Sequence, residues 1–275
     1  VTLDVIIPAC NEAGYIDACL SALIRSRGVS GRVIVAANGC TDDTASRARA
    51  WQQRAGAAGW DLIVLDLPAL GKHGALNAAD GQARDGGVRV YLDADVIVSP
   101  ELLSQIVTTL AKPGVLYASG QPVVAPARSG ITRAYARFWQ RLPFVTTNVP
   151  GFGVFAVNAA GRARWAEFPR IISDDTFVRL SFEPHERLRV PATYDWPMVE
   201  GFSRLVRVRR RQDQGVAEIA RLFPDMPARD GTPRPGKGWL IAQLLRDPVA
   251  FGVYAAVTLA VRAGWGRQSG WVRGR

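Results

Sequence analysis

Two carboxylates one residue apart, Asp93 and Asp95, follow the apolar run Val88-Arg89-Val90-Tyr91-Leu92. An Asp-Ala-Asp triplet at the mouth of a buried strand offers hard oxygen donors, which suit Mg2+ or Mn2+ bridging to phosphate oxygens. If the strand conformation runs on through Ala94, positions i and i+2 point the same way and both side chains face one site. The plain alternative is a solvated turn, because Asp-x-Asp is a short pattern.

Three clusters upstream could share that chemistry. Pro8-Ala9-Cys10-Asn11-Glu12 ends a first strand, where free backbone N–H groups and Glu12 could meet a sugar or a base. Equally, Asn11 could cap the following helix, with Glu12 complementing its dipole. Asn38-Gly39-Cys40-Thr41-Asp42-Asp43 combines turn geometry at Gly39 with capping residues at Thr41 and Asp42, and Asn38 stands at the strand's end. Gly71-Lys72-His73-Gly74-Ala75-Leu76-Asn77 offers a cation, glycine freedom and a helix start, a combination that can neutralise a diphosphate. It lacks P-loop spacing, and no GxGxxG follows the first strand, which weakens nucleoside triphosphatase and dinucleotide oxidoreductase readings.

Positioning these clusters requires alternating elements. Leu3 to Pro8, Arg32 to Ala37, Asp61 to Leu65 and Val88 to Leu92 are strand-like, while Glu12 to Arg27, Asp42 to Arg54, Lys72 to Arg84 and Pro100 to Leu110 have helical spacing. Such a βαβ series predicts an α/β fold: one open, mostly parallel sheet flanked by helices, with ligands beyond the carboxyl ends of its strands. Pro8 to Glu12, Asn38 to Asp43 and Asp93 to Asp95 each sit at such an end, so topology alone predicts that they converge.

A chain of 275 residues with 48% hydrophobic content can bury a full core. The three cysteines, Cys10, Cys19 and Cys40, show neither CxxC spacing nor companion histidines, which argues against a zinc site or a disulfide framework and for a reducing compartment. His73 and His185 have no partners at metal-ligand spacing. The formal charge of +10 is uneven, concentrated in Arg204 to Arg211 and in the last residues through Arg273 and Arg275. Nucleic acid, anionic lipid and phosphorylated small molecules all answer to that sign.

The succession PACNE (8–12), NGCTDDT (38–44), GKHGALN (71–77) and DAD (93–95) resembles glycosyltransferase family 2 on the GT-A fold in order and spacing. The resemblance covers roughly the first 215 residues, closest up to about Leu110. It implies transfer of a sugar from a nucleotide-sugar donor to a hydroxyl acceptor with inversion, in polysaccharide or glycolipid synthesis. Carried over by position, Pro8, Asn11 and Glu12 line the nucleoside pocket and Lys72 and Asn77 border it. Asp93-Ala94-Asp95 serves ribose and a Mg2+ or Mn2+ ion, with Asp93 and Asp95 as the metal residues. Asn38 replaces the aspartate that in many relatives accepts from uracil N3–H; an amide oxygen accepts the same bond, which favours a UDP-sugar and leaves GDP open.

Further along, Ile171-Ile172-Ser173-Asp174-Asp175-Thr176-Phe177 resembles the family's acidic pair. Inverting transfer needs a carboxylate to take the acceptor proton, and motif position makes Asp175 that base, with Asp174 second; helix capping by Ser173 and Asp174 is the alternative. Gly151-Phe152-Gly153 resembles the strand beneath the donor sugar, with Gly153 leaving room for substrate, although plain strand geometry accounts for it too. Arg207 to Gln212 aligns with a basic motif that normally precedes a tryptophan absent here, which puts processivity in doubt; Arg207 and Arg210 are the candidates for clamping the leaving diphosphate.

Organisation follows as a nucleotide-sugar-binding half at 1–96, an acceptor-binding and catalytic half at 97–222, and a C-terminal helical extension at 223–275. Phe223 to Gly238 reads as a linker or extended lid rather than a helix. Val249 to Val261 is an uncharged apolar run shorter than the roughly 20 residues needed to span a bilayer. Trp239, Trp265 and Trp271 with Arg246, Arg262 and Arg267 flank it as in a segment lying at a membrane interface, or the run packs as a helix or helical hairpin on its own core. The chain opens with a strand rather than a leader-like segment. The expected partners are a nucleotide-sugar and a carbohydrate or lipid-linked acceptor in the cytoplasm, with peripheral contact to anionic membrane and no nucleic acid. A nucleotidyltransferase, a retaining sugar transferase and a non-enzymatic basic lipid- or nucleic-acid-binding protein are the competing readings.

Overall fold

The computed structural model describes residues 2–265, so Arg267, Trp271, Arg273 and Arg275 lie outside the described residues. In chain order the first half comprises β1 (Leu3–Ala9), α1 (Ile16–Leu23), β2 (Gly31–Asn38), α2 (Thr44–Ala50), α3 (Gln52–Ala57), β3 (Trp60–Leu67), α4 (Gly71–Asp80), β4 (Val88–Leu92), β5 (Ile97–Val98) and α5 (Leu102–Leu110). There follow β6 (Tyr117–Val124), α6 (Gly130–Trp139), α7 (Pro143–Thr146), β7 (Val154–Val157), α8 (Ala159–Arg162), α9 (Asp174–Leu180), β8 (Arg187–Trp196), α10 (Phe202–Leu222), α11 (Lys237–Arg246) and α12 (Pro248–Arg262). Two compact units emerge, one built from the chain up to Pro122 with Val149–Trp196, the other from Val123–Asn148 with the described residues from Pro197 onward.

The first unit carries an eight-stranded sheet in the order β3-β2-β1-β4-β7-β6-β8-β5. Strands β3, β2, β1 and β4 run parallel, as the βαβ pattern predicts, and β7 then pairs antiparallel with β4. β1 is buried on both faces because it is central, which is why it reads as an unbroken apolar run rather than an alternating one. The register places Ala9 beside Ala37 and Asn38 beside Leu67, so the loops after β1 and β2 leave the sheet at one edge.

Helices are shorter than their periodicity suggests. α1 starts at Ile16 rather than Glu12, because Asn11 adopts a left-handed φ of 54° and Glu12 C=O receives the N–H groups of Tyr15 and Ile16 in a turn. The expected helix from Asp42 to Arg54 divides at Trp51, whose indole N–H donates to Asp17. α4 stops at Asp80, and Arg84 turns back to bind Asp4, the buried carboxylate of β1, through its backbone N–H and guanidinium.

Asp80 is a further buried carboxylate of this unit. It accepts from Arg89 at 2.9 Å, from Arg162 at 2.9 and 3.0 Å and from the Tyr91 hydroxyl at 2.8 Å. Burial and the neighbouring carboxylate push the Tyr91 hydroxyl well above its ordinary pKa, so it stays a donor.

The second unit is helical. α12 packs on α6, α10 and α11, with Phe138 at the centre, 4.4 Å from Tyr254, 5.6 Å from Phe251 and 5.8 Å from Trp239 by ring centroids. Asp247 separates α11 from α12, caps α12 at Ala250 N–H and pairs with Arg137. The segment from Phe223 to Gly238 is not wholly extended: Met226–Arg229 forms a 3-10 turn, and Lys237 and Gly238 already belong to α11. Asn148 ties the segment down by donating to Asp230 C=O and Thr232 Oγ1. The apolar run Val249 to Val261 thus forms the second arm of a helical pair, and among the described residues no helix is long and apolar enough to cross a membrane.

Removing Asp80 leaves two nearly buried guanidinium groups without their shared counter-ion. Asp80→Ala is therefore expected to lower unfolding stability by about 3–5 kcal/mol in urea titration, whereas exposed Asp61→Ala, which loses only a surface pair, falls by about 1 kcal/mol or less.

Candidate active site

Two loops form the rim at the carboxyl edge of the parallel strands, and side chains lash them together. Asn11 Oδ1 accepts from Thr41 N–H at 2.6 Å and Thr41 Oγ1 at 3.3 Å. Glu12 N–H donates to Thr44 Oγ1 at 2.7 Å, and Ala13 N–H to Asp42 Oδ2 at 3.1 Å. Asn11 is therefore a bridge between loops and not a helix cap. Asn tolerates a left-handed φ better than most residues, which is why it can hold this position. Desolvation acts to raise the Asp42 pKa, but hydrogen bonds from Thr44 and Ala13 hold the carboxyl below its usual range.

Behind the rim, Pro8, Lys72, Asp93, Gly153, Asp174 and Asp175 line one pocket with Leu76, Tyr91, Gly151 and Phe155. Six of the sequence candidates thus meet, all within the first unit. Lys72 Nζ lies 3.1 Å from Asp93 Oδ1 and 3.1 Å from Asp174 Oδ2. Desolvation works against its charge, but Asp174, Asp93 and Asp175 together outweigh it and hold the ammonium above its ordinary pKa. The pocket sets three carboxylates against this one ammonium, a field that favours added positive charge.

The two acids that open α9 differ. Asp174 is buried and paired with Lys72. Asp175 Oδ1 receives Thr176 N–H at 2.6 Å. Its pKa is raised chiefly by burial and by adjacent Asp174, against the opposing pull of Lys72.

The Asp-Ala-Asp segment departs from the simple strand argument. β4 ends at Leu92, Ala94 and Asp95 form a turn closed by Val96 N–H to Asp93 C=O, and strand alternation no longer fixes where Asp95 points. Asp93 faces Lys72 in the pocket; Ala94 is buried in the core and Asp95 is 8% exposed. Asp93 N–H also donates to Gly153 C=O at 2.8 Å, which joins this turn to the glycine segment.

Other candidates take structural positions. Asn38 is buried, and its Oδ1 accepts Leu70 N–H at 2.7 Å, fixing the start of α4. Asn77 grips the backbone of Phe168 in both directions, donating at 3.2 Å and accepting at 2.7 Å. Arg207 and Arg210 belong to α10 in the second unit, where Arg210 donates to Trp265 C=O. Sequence reasoning gave no role to Phe155, and it met Tyr91 and Leu76 only as apolar members of longer runs, yet all three line the pocket; Asp42, read there as a capping residue, does accept Thr44 N–H and also bonds across to Ala13 N–H of the other loop.

Gly151 and Gly153 have φ of 73° and 77°, outside strand geometry, so the plain strand reading does not hold. A Cβ on Gly153 would lie 2.8 Å from Trp196 Cδ1 and 2.9 Å from Val96 Cγ2, and one on Gly151 would collide with the Tyr117 hydroxyl. That hydroxyl is buried and has no hydrogen-bond partner among the described residues.

No group of three or more metal-binding side chains is gathered among the described residues. The pocket's Asp93 carboxylate is the kind of hard oxygen donor that Mg2+ or Mn2+ takes alongside substrate phosphates, whereas Asp95 is not among the residues lining the pocket.

The sheet order, the strand-end pocket and the paired acids define an α/β fold of the GT-A glycosyltransferase type. Residues 4–167 match the family described as glycosyl transferase family 2, and the chain belongs to that family. Among solved structures it is similar to the mannosyltransferase PcManGT from Pyrobaculum calidifontis in complex with GDP-Man and Mn2+, at 23% identity and TM-score 0.59, over 97% of this chain and 76% of that one. It is also similar to glucosyl-3-phosphoglycerate synthase from Mycobacterium tuberculosis in complex with Mn2+, UDP and glucosyl-3-phosphoglycerate, at 21% identity and TM-score 0.54, over 86% and 82% of the two chains. A third is S. aureus TarS 1-349 in complex with UDP-GlcNAc, at 15% identity and TM-score 0.53, over 100% and 95%. No curated protein matches the chain.

Gly153→Ala forces a strained φ and displaces Trp196 or Val96, and should cost about 1–3 kcal/mol of stability. Thermal melting checks this against Gly56→Ala, which meets open space and should melt within a few degrees of the parent.

Proposed function

We propose that the protein transfers a sugar from a nucleoside-diphosphate sugar, UDP-linked by preference, to an acceptor hydroxyl with inversion at the anomeric carbon. The observation that carries this reading is the asymmetry of the acid pair: Asp174 is engaged by Lys72, while the neighbouring Asp175 lines the same pocket with a raised pKa. A carboxylate whose proton affinity is raised is the better general base, provided the working pH keeps it ionised.

In the proposed step the acceptor oxygen bonds to the anomeric carbon as the bond from that carbon to the diphosphate oxygen breaks. The bonding pair leaves with the diphosphate, and the acceptor proton passes to Asp175. Lys72 holds Asp174 beside the base and supplies positive charge next to Asp93. A bound Mg2+ or Mn2+, assigned to Asp93 and Asp95, would stabilise charge growing on the leaving group. Asn38 keeps a second lone pair on its engaged oxygen, which supports the uracil contact carried over from the family. Pro8, Asn11, Glu12 and Asn77 as the nucleoside pocket and its border, Arg207 and Arg210 as diphosphate ligands, and the halves 1–96 and 97–222 rest on the same carry-over. So does a carbohydrate or lipid-linked acceptor reached from the cytoplasmic side.

Asp175→Asn should leave nucleotide binding within about twofold and lower turnover by at least about a hundredfold, read from slow hydrolysis of UDP-glucose with water as acceptor. NMR of the first-formed glucose tests inversion: the β anomer from the α-linked donor is expected, and retention overturns the base assignment.

The pH profile carries a second test. Burial and Asp174 raise the Asp175 pKa, so the acidic limb of turnover should lie above the ordinary carboxylate range. Lys72 opposes that rise, and Lys72→Met should move the limb to still higher pH. For stability the sign follows the same shift: because the folded state holds the Asp175 proton more tightly, this group's contribution is full at low pH and lost as pH rises through its raised folded pKa.

A further inference from the structure

The helix α11 is buried on the wrong side for a soluble protein. Its polar Gln243 is 8% exposed, with no hydrogen-bond partner for its side-chain oxygen among the described residues, while Leu245 is 79% and Ile241 57% exposed. Leu240 and Leu244 are exposed beside them, and at 3.6 residues per turn these four positions fall on one arc, opposite Trp239, which packs edge-on against Phe138. Just past Asp247, Val249 in the first turn of α12 is also exposed, at 63%. The inward side of the helix is thus anchored within its own unit, and the outward apolar arc meets nothing among the described residues.

Charge singles out one occupant. Residues 231–246 contain Arg234, Lys237 and Arg246 and no acid, and all three cations are exposed; Asp247, which follows, is paired with Arg137. Lys237 lies on the apolar arc itself at its N-terminal end, and Arg246 ends the helix, an arrangement that lets long cationic side chains reach headgroups while the leucines enter the acyl boundary. A second copy stacked on the same face would bring like charges together, which costs association energy. Ten residues are far too few to span a bilayer, so the helix can only lie in the interface plane.

We propose that α11, with the first turn of α12, docks this protein onto an anionic lipid surface. Ile241, Leu244, Leu245 and Val249 enter the interface, and Lys237 and Arg246 pair with the headgroups. Docking is independent of the transfer reaction, since it requires neither donor nor acceptor, so it stands or falls separately from the transferase reading.

The test is co-sedimentation of the full chain with vesicles of phosphatidylglycerol and, separately, of phosphatidylcholine. The protein should pellet with the anionic vesicles, and with phosphatidylcholine about tenfold more weakly. Ile241→Ser with Leu245→Ser should lower partitioning onto the anionic vesicles by about tenfold or more while leaving circular dichroism unchanged, because both side chains are exposed in solution. Lys237→Glu with Arg246→Glu should remove the preference for anionic lipid. Equal pelleting of parent and serine variant overturns the proposal, as does failure of the parent to pellet with either lipid. A dimer in sedimentation velocity that the serine substitutions dissolve, without vesicle binding, assigns the face to a second copy and also overturns it.

Discussion

One ammonium group joins the elements that line the strand-end pocket of this protein. Lys72, in the first turn of α4, reaches Asp93 at the end of β4 and Asp174 at the start of α9. Elements distant in sequence bring three carboxylates together there, and the Lys72 cation offsets their mutual repulsion. The half-exposed setting of Lys72 keeps the energy of each ion pair modest, so their weight lies in geometry more than in net stability. With Asp174 held by this pairing, Asp175 is left as the acid whose proton affinity its surroundings raise.

The sheet supplies the precision that such a cluster needs. Parallel β1, β2 and β4 release their loops at one edge, and the loops are then fixed by polar side chains rather than by apolar packing. Asn11 and Asp42 each satisfy backbone N–H groups of the other's loop, so the rim has little freedom to collapse into the pocket. Below it, Tyr91 carries the Asp80 network up to the pocket wall, with its ring stacked on Phe155 at 4.9 Å. Rigid support beneath and locked loops above are what preorganised electrostatics require.

The parallel half of the sheet was legible because buried central strands leave long apolar runs, and each polar cluster sat where those runs stopped. Lys72, Asp93, Asp174 and Asp175 were each named, but their joining through Lys72 was not, because contact between residues 72 and 174 depends on tertiary packing that no local pattern encodes. Asn11 illustrates the converse. Its residue type suits both a helix cap and a left-handed bridge, and only the partner Thr41 on another loop decides. Asp95 shows how a strand argument fails by one turn, since the backbone bends at Ala94 before alternation can place the second carboxylate. Helix ends were overextended for a similar reason: Arg84 continues the helical spacing but finds a buried carboxylate to bind instead.

Everything proposed for the site depends on a donor nucleotide occupying the pocket lined by Lys72, Asp93, Asp174 and Asp175. Titration calorimetry with UDP, GDP and their sugars, each in Mn2+ and again with excess EDTA, measures that directly. The account predicts binding of a uridine nucleotide that weakens sharply when the metal is chelated. No binding of any nucleotide by protein shown to be folded would contradict it and leave the exposed apolar and basic face of α11 as the main clue to what the protein does.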